Sequence, residues 1–199
     1  DFCLNLTVLN RPNLHPQLDQ VVGDFTALSL LAVDGTEGAS FVQRARRIGA
    51  QLFDDLDHSR FTGVDVLREL ARVRGRGADL MPVVFTSGIG SVERMLGDAG
   101  RVLQPPSYMI SQTPQVWIDC QVSDQYGGLQ IGWDVRIGVL PEGMAAQMFA
   151  AYVDLLQRLA CDPQLWQAHG DIVLPGQQVN PPIPASAPAR NIAAGFARQ

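Results

Sequence analysis

The stretch Ser111-Gln-Thr-Pro-Gln-Val-Trp-Ile-Asp119 decides how the rest of the chain is read. It opens polar, passes a proline and becomes a short apolar run closed by a carboxylate. Pro114 biases Thr113 toward extended geometry and has no N–H to give to a ladder, so it suits a strand's start. From Gln115 to Cys120 the side chains alternate, which predicts Val116, Ile118 and Cys120 on one face and Gln115, Trp117 and Asp119 on the other. An acid at the end of such a strand requires a partner, a wet cavity or a chemical task.

Downstream, Asp124-Gln-Tyr-Gly-Gly128 is a hairpin signal and residues 129–135 are the returning strand. Upstream, residues 81–86 read as a short strand that stops at Ser87-Gly88, and residues 2–9 as another. The runs 21–26 and 28–33 are rich enough in large and β-branched apolar residues to predict two buried strands. Between these lie segments of helical period. Phe41, Ala45, Ile48 and Leu52 mark a helix from Ser40 to about Asp57. Thr62 caps a second, with Val64, Leu67, Leu70 and Ala71 on its core face, ended by Gly75 and Gly77. Residues 143–159 form a third, and Asp162-Pro163 opens a short terminal helix. Residues 88–110 read as loop with a short helix near 92–96. Strands and helices intermixed, with one hairpin and long connections, predict an α/β fold: a mixed sheet layer covered by helices. The regular βαβ rhythm and glycine fingerprint of a dinucleotide fold are missing.

The bulk numbers narrow the class. Over 199 residues the hydrophobic share is 46% and the charged share 18%, as in ordinary globular proteins. A net charge of −5 and a pI near 5.0 argue against a nucleic-acid partner. The basic clusters Arg44–Arg47 and Arg72–Arg76 sit in helix-like segments and read as solvated faces, with a carrier-protein contact as the sharper alternative. Cys3, Cys120 and Cys161, like His15, His58 and His169, are scattered, so neither a disulfide framework nor a metal site is expected. No apolar run is long enough to span a membrane, and a reducing, cytoplasmic location is the expectation. Asp1 leads straight into an apolar strand, which predicts a piece of something longer. From Leu174 onward prolines at 175, 181, 182, 184 and 188 make residues 175–199 a Pro/Ala-rich linker, leaving 1–174 as the folded part.

Thr86 and Asp119 are the pair that carries chemistry. Each closes a short strand, so adjacent strands bring a hydroxyl and a carboxylate to one sheet edge. There they either hydrogen-bond around a substrate or satisfy each other as a structural pair. Asp24 within Gly23-Asp-Phe-Thr26 either lines a channel or, the favoured reading, is structural, capping a turn or pairing with a neighbouring helix's arginine, and Trp133-Asp134 reads as packing plus a turn. Cys120 alternates away from Asp119 as a core thiol. Ser87-Gly88 lacks the G-x-S-x-G elbow and has no histidine base nearby, which excludes the usual serine hydrolase.

Four stretches in order, Val22-Gly-Asp-Phe-Thr26, Pro82-Val-Val-Phe-Thr-Ser87, Ser111 to Asp119 and Gly132-Trp-Asp134, resemble the C-terminal motifs of heterocyclization domains of nonribosomal peptide synthetases. Leu4–Pro12, Asp55–His58, Leu67–Ala71, Leu140–Gly143 and Met148–Tyr152 fit as well. The resemblance implies the C-terminal lobe of a fold like chloramphenicol acetyltransferase, half of a two-lobe, condensation-type domain. It implies condensation of a carrier-bound acyl or aminoacyl thioester with carrier-bound cysteine, serine or threonine, then cyclodehydration to a thiazoline or oxazoline, as in siderophore or peptide natural products. By the same likeness Asp119 is the acid/base, Thr86 positions it or the hemiaminal oxygen, and Gln112, Ser111 and Ser87 shape the site. Asp24, Trp133 and Asp134 belong to the motif as structural residues. The implied partners are the N-terminal lobe, peptidyl carrier domains upstream and downstream, and an adenylation domain after the linker. No cofactor is bound directly, because substrates arrive on phosphopantetheine arms. The rival readings are a non-catalytic docking or scaffold lobe, and a condensation domain that makes only the amide.

Overall fold

The computed structural model describes residues 2–11, 14–34, 39–75, 81–90, 108–111, 113–125 and 127–169. The helix expected near residues 92–96, Gln112 and the linker 175–199 lie outside them.

Five strands form one mixed sheet: β1 (Phe2–Leu9), β2 (Thr26–Val33), β3 (Val83–Ser87), β4 (Ile118–Gln125) and β5 (Gly128–Val135), in the order β2-β1-β3-β4-β5. β1 and β3 run parallel, as do β3 and β4, while β4 and β5 are an antiparallel hairpin. Gly127 turns that hairpin at φ +76, a conformation that is unstrained for glycine. The expected α/β layer with a mixed sheet is therefore what the chain forms. Alternation sends Ile118, Cys120 and Val122 of β4, with Leu6 of β1, to one buried face.

Two sequence expectations move. Residues 21–25 are not a strand, and Val22 stands 99% exposed. Asp24 Oδ1 accepts the Thr26 N–H at 2.8 Å, and Arg11 stacks over Phe25 at 4.0 Å while binding the Leu18 carbonyl. These contacts satisfy the segment as a loop, so no ladder is needed. Likewise β4 begins at Ile118 rather than Gln115. Pro114 offers no N–H, and Gln115 takes φ +69, which breaks the extended path before the strand starts. Asp119 is thus the second residue of its strand, not its end.

Two compact units are present, one drawn from Cys3–Leu31 and His58–Arg136, the other from Asp1–Phe2, Ala32–Asp57 and Ile137–Gln199. The first holds nearly all of the sheet together with α2 (Gly63–Arg74). A reciprocal capping box starts this helix: the Asp65 N–H donates to Thr62 Oγ1 at 3.3 Å and the Thr62 N–H to Asp65 Oδ2 at 3.0 Å. Gly63 then seats the helix on β2, since a Cβ there would lie 2.9 Å from the Leu28 carbonyl oxygen.

The second unit contains α1 (Phe41–Asp57), α3 (Met144–Cys161) and a 3-10 helix (Pro163–Gln167). Ser40, 2% exposed, and Gln43 cap α1 reciprocally, and Ser40 bridges to His169. Phe41 meets Trp166 edge-on at 5.2 Å, and Trp166 Nε1 donates to the Leu159 carbonyl. Ala45 and Val64, expected on core faces, are exposed.

Candidate functional site

Register places polar side chains of four strands on one face of the sheet. In the first row Asn5 of β1, Val84 of β3, Asp119 of β4 and Asp134 of β5 stand side by side. In the second row, one pleat along, are Thr7, Thr86, Gln121 and Gly132. Asn5, Thr7, Val84, Thr86, Asp119 and Gln121 of these rows floor a cleft of about 560 Å³. Thr26 and Leu28 of β2 and Leu67 of α2 form one wall, and the irregular segment of Ser111, Thr113, Pro114, Gln115 and Val116 forms another. The volume falls in the range of small-molecule sites.

Asp119 is the chemical centre of this floor. It is only 7% exposed, and Oδ2 accepts a single long bond, 3.4 Å from Gln121 Nε2. Oδ1 is buried with no hydrogen-bond partner among the described residues. A carboxylate oxygen so placed costs stability unless something in the cleft uses it. A substrate N–H or O–H would supply the missing donor and give the acid a proton to move.

Thr86 lies on the same face but is hydrogen-bonded to Thr7, not to Asp119. It stands opposite Gln121, one step further along, and its Oγ1 donates to Thr7 Oγ1 at 3.0 Å. The direct Thr–Asp hydrogen bond expected from the sequence is replaced by a Thr86–Thr7 pair and a Gln121–Asp119 pair. Parallel pairing sets Asp119 against Val84, so the two expected partners are offset by about 6–7 Å along the strands.

Other expected residues divide by face. Ser111 lines the cleft, and its N–H donates to Asp134 Oδ2 at 2.6 Å. Ser87 ends β3 on the opposite face, exposed and away from the cleft, because alternation turns it from Thr86. Trp133 also faces away, opposite Cys120. Burial pushes the Cys120 thiol above its ordinary pKa, and a Trp133 hydrogen bond opposes this, so Cys120 is a core thiol. Asp24 caps the entry to β2; hydrogen bonds from the Thr26 side chain and then its backbone hold its carboxyl below the ordinary value. Gln112 falls outside the described residues.

Asn5, Thr7 and Gln121 were not singled out in the sequence. Asn5 is 9% exposed with Oδ1 buried and without a partner among the described residues. A signal was present: Asn5 and Thr7 interrupt an apolar strand at a spacing of two, which marks a polar face. Among the described residues no cluster of His, Cys, Asp and Glu is placed to hold a metal, and no helix is long and apolar enough to cross a membrane.

Comparison with known proteins identifies relatives of the chain. No family model matches the chain. Pyochelin synthetase PchF of Pseudomonas aeruginosa is 68% identical over 198 residues, 100% of this chain and 11% of that protein. Phenyloxazoline synthase MbtB of Mycobacterium tuberculosis is 41% identical over 177 residues, 89% of this chain and 12% of that protein. The chain thus spans about a tenth of the length of these relatives. Among solved structures, the EpoB cyclization-docking bidomain of Sorangium cellulosum aligns with a TM-score of 0.65 at 39% identity, over 83% of this chain and 33% of that one. The first condensation domain of the CDA synthetase shares the fold, with a TM-score of 0.59 at 17% identity over 87% of this chain and 37% of that one.

The chain belongs to the heterocyclization domains of nonribosomal peptide synthetases and forms one lobe of such a domain.

Proposed function

We propose, from this membership as premise, that the chain is the C-terminal lobe of its domain and carries the acid/base of ring closure. In the parent protein the amine of a carrier-bound cysteine, serine or threonine attacks a carrier-bound acyl thioester, forming an amide and releasing the upstream carrier thiol. The side-chain thiol or hydroxyl then adds to the amide carbonyl, and water leaves as the C=N bond of a thiazoline or oxazoline forms. Asp119 takes the proton of the incoming nucleophile and delivers it to the former carbonyl oxygen, and that hydroxyl then leaves as water with the proton lost from the amide nitrogen. Thr86 holds the tetrahedral oxygen from the second row of the floor. Ser111 shapes the wall and Gln112 stands beside it in sequence, while Asp24, Trp133 and Asp134 serve the scaffold.

Residues 1–174 make the lobe and 175–199 lead to an adenylation domain. Upstream and downstream peptidyl carriers present substrates on phosphopantetheine arms, and the N-terminal lobe completes the tunnel. The observation that supports the assignment is the recessed Asp119, whose Oδ1 lacks a donor among the described residues of the cleft. The test uses the intact synthetase with loaded carriers and reads linear and cyclised products by mass, which differ by the one water lost in ring closure. Asp119→Asn is expected to lower cyclised product roughly 10²–10⁴-fold while sparing the amide, the range of a lost general acid–base. Thr86→Ala is expected to shift the ratio the same way, less strongly. Equal loss of both products refutes the assignment.

A further inference from the structure

We propose that Asp134 is a positioning residue for ring closure: its carboxylate anchors the cleft wall opposite the acid. The inference rests on the reading of the cleft as the cyclisation site.

The wall residues Ser111, Thr113, Pro114, Gln115 and Val116 lie outside the strands, so their main-chain groups need partners outside a ladder. At its far end the Trp117 and Ile118 N–H groups both donate to the Pro82 carbonyl, at 2.8 and 3.2 Å. Within it the Val116 N–H reaches the Thr113 carbonyl at 3.3 Å. Pro114 contributes no donor, and Gln115 is held at φ +69, a conformation that persists in a non-glycine residue only where its surroundings over-determine it. The near end is tied by the Ser111 N–H, which donates to Asp134 Oδ2 at 2.6 Å across 23 residues of sequence. That short charge-assisted bond is therefore one of the two ends of the wall.

Asp134 is also directly opposite Asp119 in the β4–β5 ladder. The strand pair that carries the acid thus carries the wall's anchor, and the spacing between acid and wall becomes a property of the sheet. Facing carboxylates on adjacent strands repel. Occupying Asp134 with a backbone donor offsets that repulsion beside an Asp119 whose Oδ1 has no partner among the described residues. Misplacement of a reacting group by about 1 Å can cost on the order of a hundredfold in rate.

The test compares Asp134→Ala and Asp134→Asn in the intact synthetase by hydrogen–deuterium exchange and by product mass. Asp134→Ala is expected to speed exchange in peptides covering residues 111–117 and to lower the cyclised-to-linear ratio roughly ten- to hundredfold through kcat. Asp134→Asn keeps an acceptor oxygen and is expected to restore both. Unchanged protection in β4–β5 peptides shows that the hairpin is intact. If Asp134→Ala leaves exchange at 111–117 unchanged, the anchor is refuted; faster exchange with an unchanged ratio refutes the positioning role. Loss of linear and cyclised products in parallel, or no rescue by Asp134→Asn, refutes it too. Asp119→Asn run alongside separates the premise: if it still cyclises, the site reading fails, whatever the exchange at 111–117 shows.

Discussion

Replacing Asp119 by leucine is expected to stabilise the fold while removing ring closure. Three terms set the magnitude. The buried Oδ1 without a donor among the described residues costs about 1–3 kcal/mol, and an apolar side chain removes that cost. The facing pair with Asp134 adds repulsion of about 0.2–1 kcal/mol, also relieved. Against these stands the bond from Gln121, which at 3.4 Å is at the weak end and contributes about 0.5 kcal/mol. The added volume extends into the cleft rather than into packed core. The balance favours Asp119→Leu by about 1 kcal/mol or more, equivalent to roughly 2–4 °C in the midpoint of a domain of about 150–250 residues. Thermal unfolding of the purified synthetase, with limited proteolysis to assign the transition to this lobe, measures it. A drop in midpoint would refute the reasoning, because it would mean that Asp119 is satisfied in the resting fold and is not held in reserve for substrate.

Two further outcomes follow from the packing of α2. Gly63→Ala places a Cβ against the Leu28 backbone, which cannot swing aside, so it is expected to destabilise by about 1–3 kcal/mol, read as a lowered denaturation midpoint. Thr62→Ala removes the capping hydroxyl and is expected to cost about 1 kcal/mol near neutral pH. Thr62 hydrogen bonds, side chain first, hold the Asp65 carboxyl below its ordinary value, so their contribution is full above the ordinary carboxylate range and is lost as pH falls through the lowered one. The gap between wild type and Thr62→Ala should therefore narrow below about pH 4 in denaturation curves taken across pH; a gap that widens on acidification contradicts the capping account.

Much of the architecture was legible because it is local. The 3.6 period from Ser40 to Asp57, the Thr62 cap, the Gly127 hairpin and the Asp162-Pro163 start all depend on neighbours within a few residues, and the chain forms each of them. The motif order from Val22 to Asp134 also carried the family, since ordered motifs survive in sequence whatever the pairing. Misreadings arose where a local signal met a competing contact. Val21–Phe25 has strand composition, yet Asp24 and Arg11 satisfy it as a loop. Gln115–Trp117 alternates, yet a left-handed residue after Pro114 delays the strand.

The site itself was half legible. Sequence alone determined that Asp119 and Thr86 would share a sheet and that Cys120 would turn away from the acid, because alternation is a property of one strand. Only the tertiary structure decided which residues meet. The β3–β4 register sets Thr86 beside Gln121 and Thr7, and the β4–β5 register sets Asp134 beside Asp119 and within reach of Ser111. Register is chosen by the summed burial and pairing of whole strands brought together from distant parts of the chain. No single stretch, not even Ser111 to Asp119, contains it.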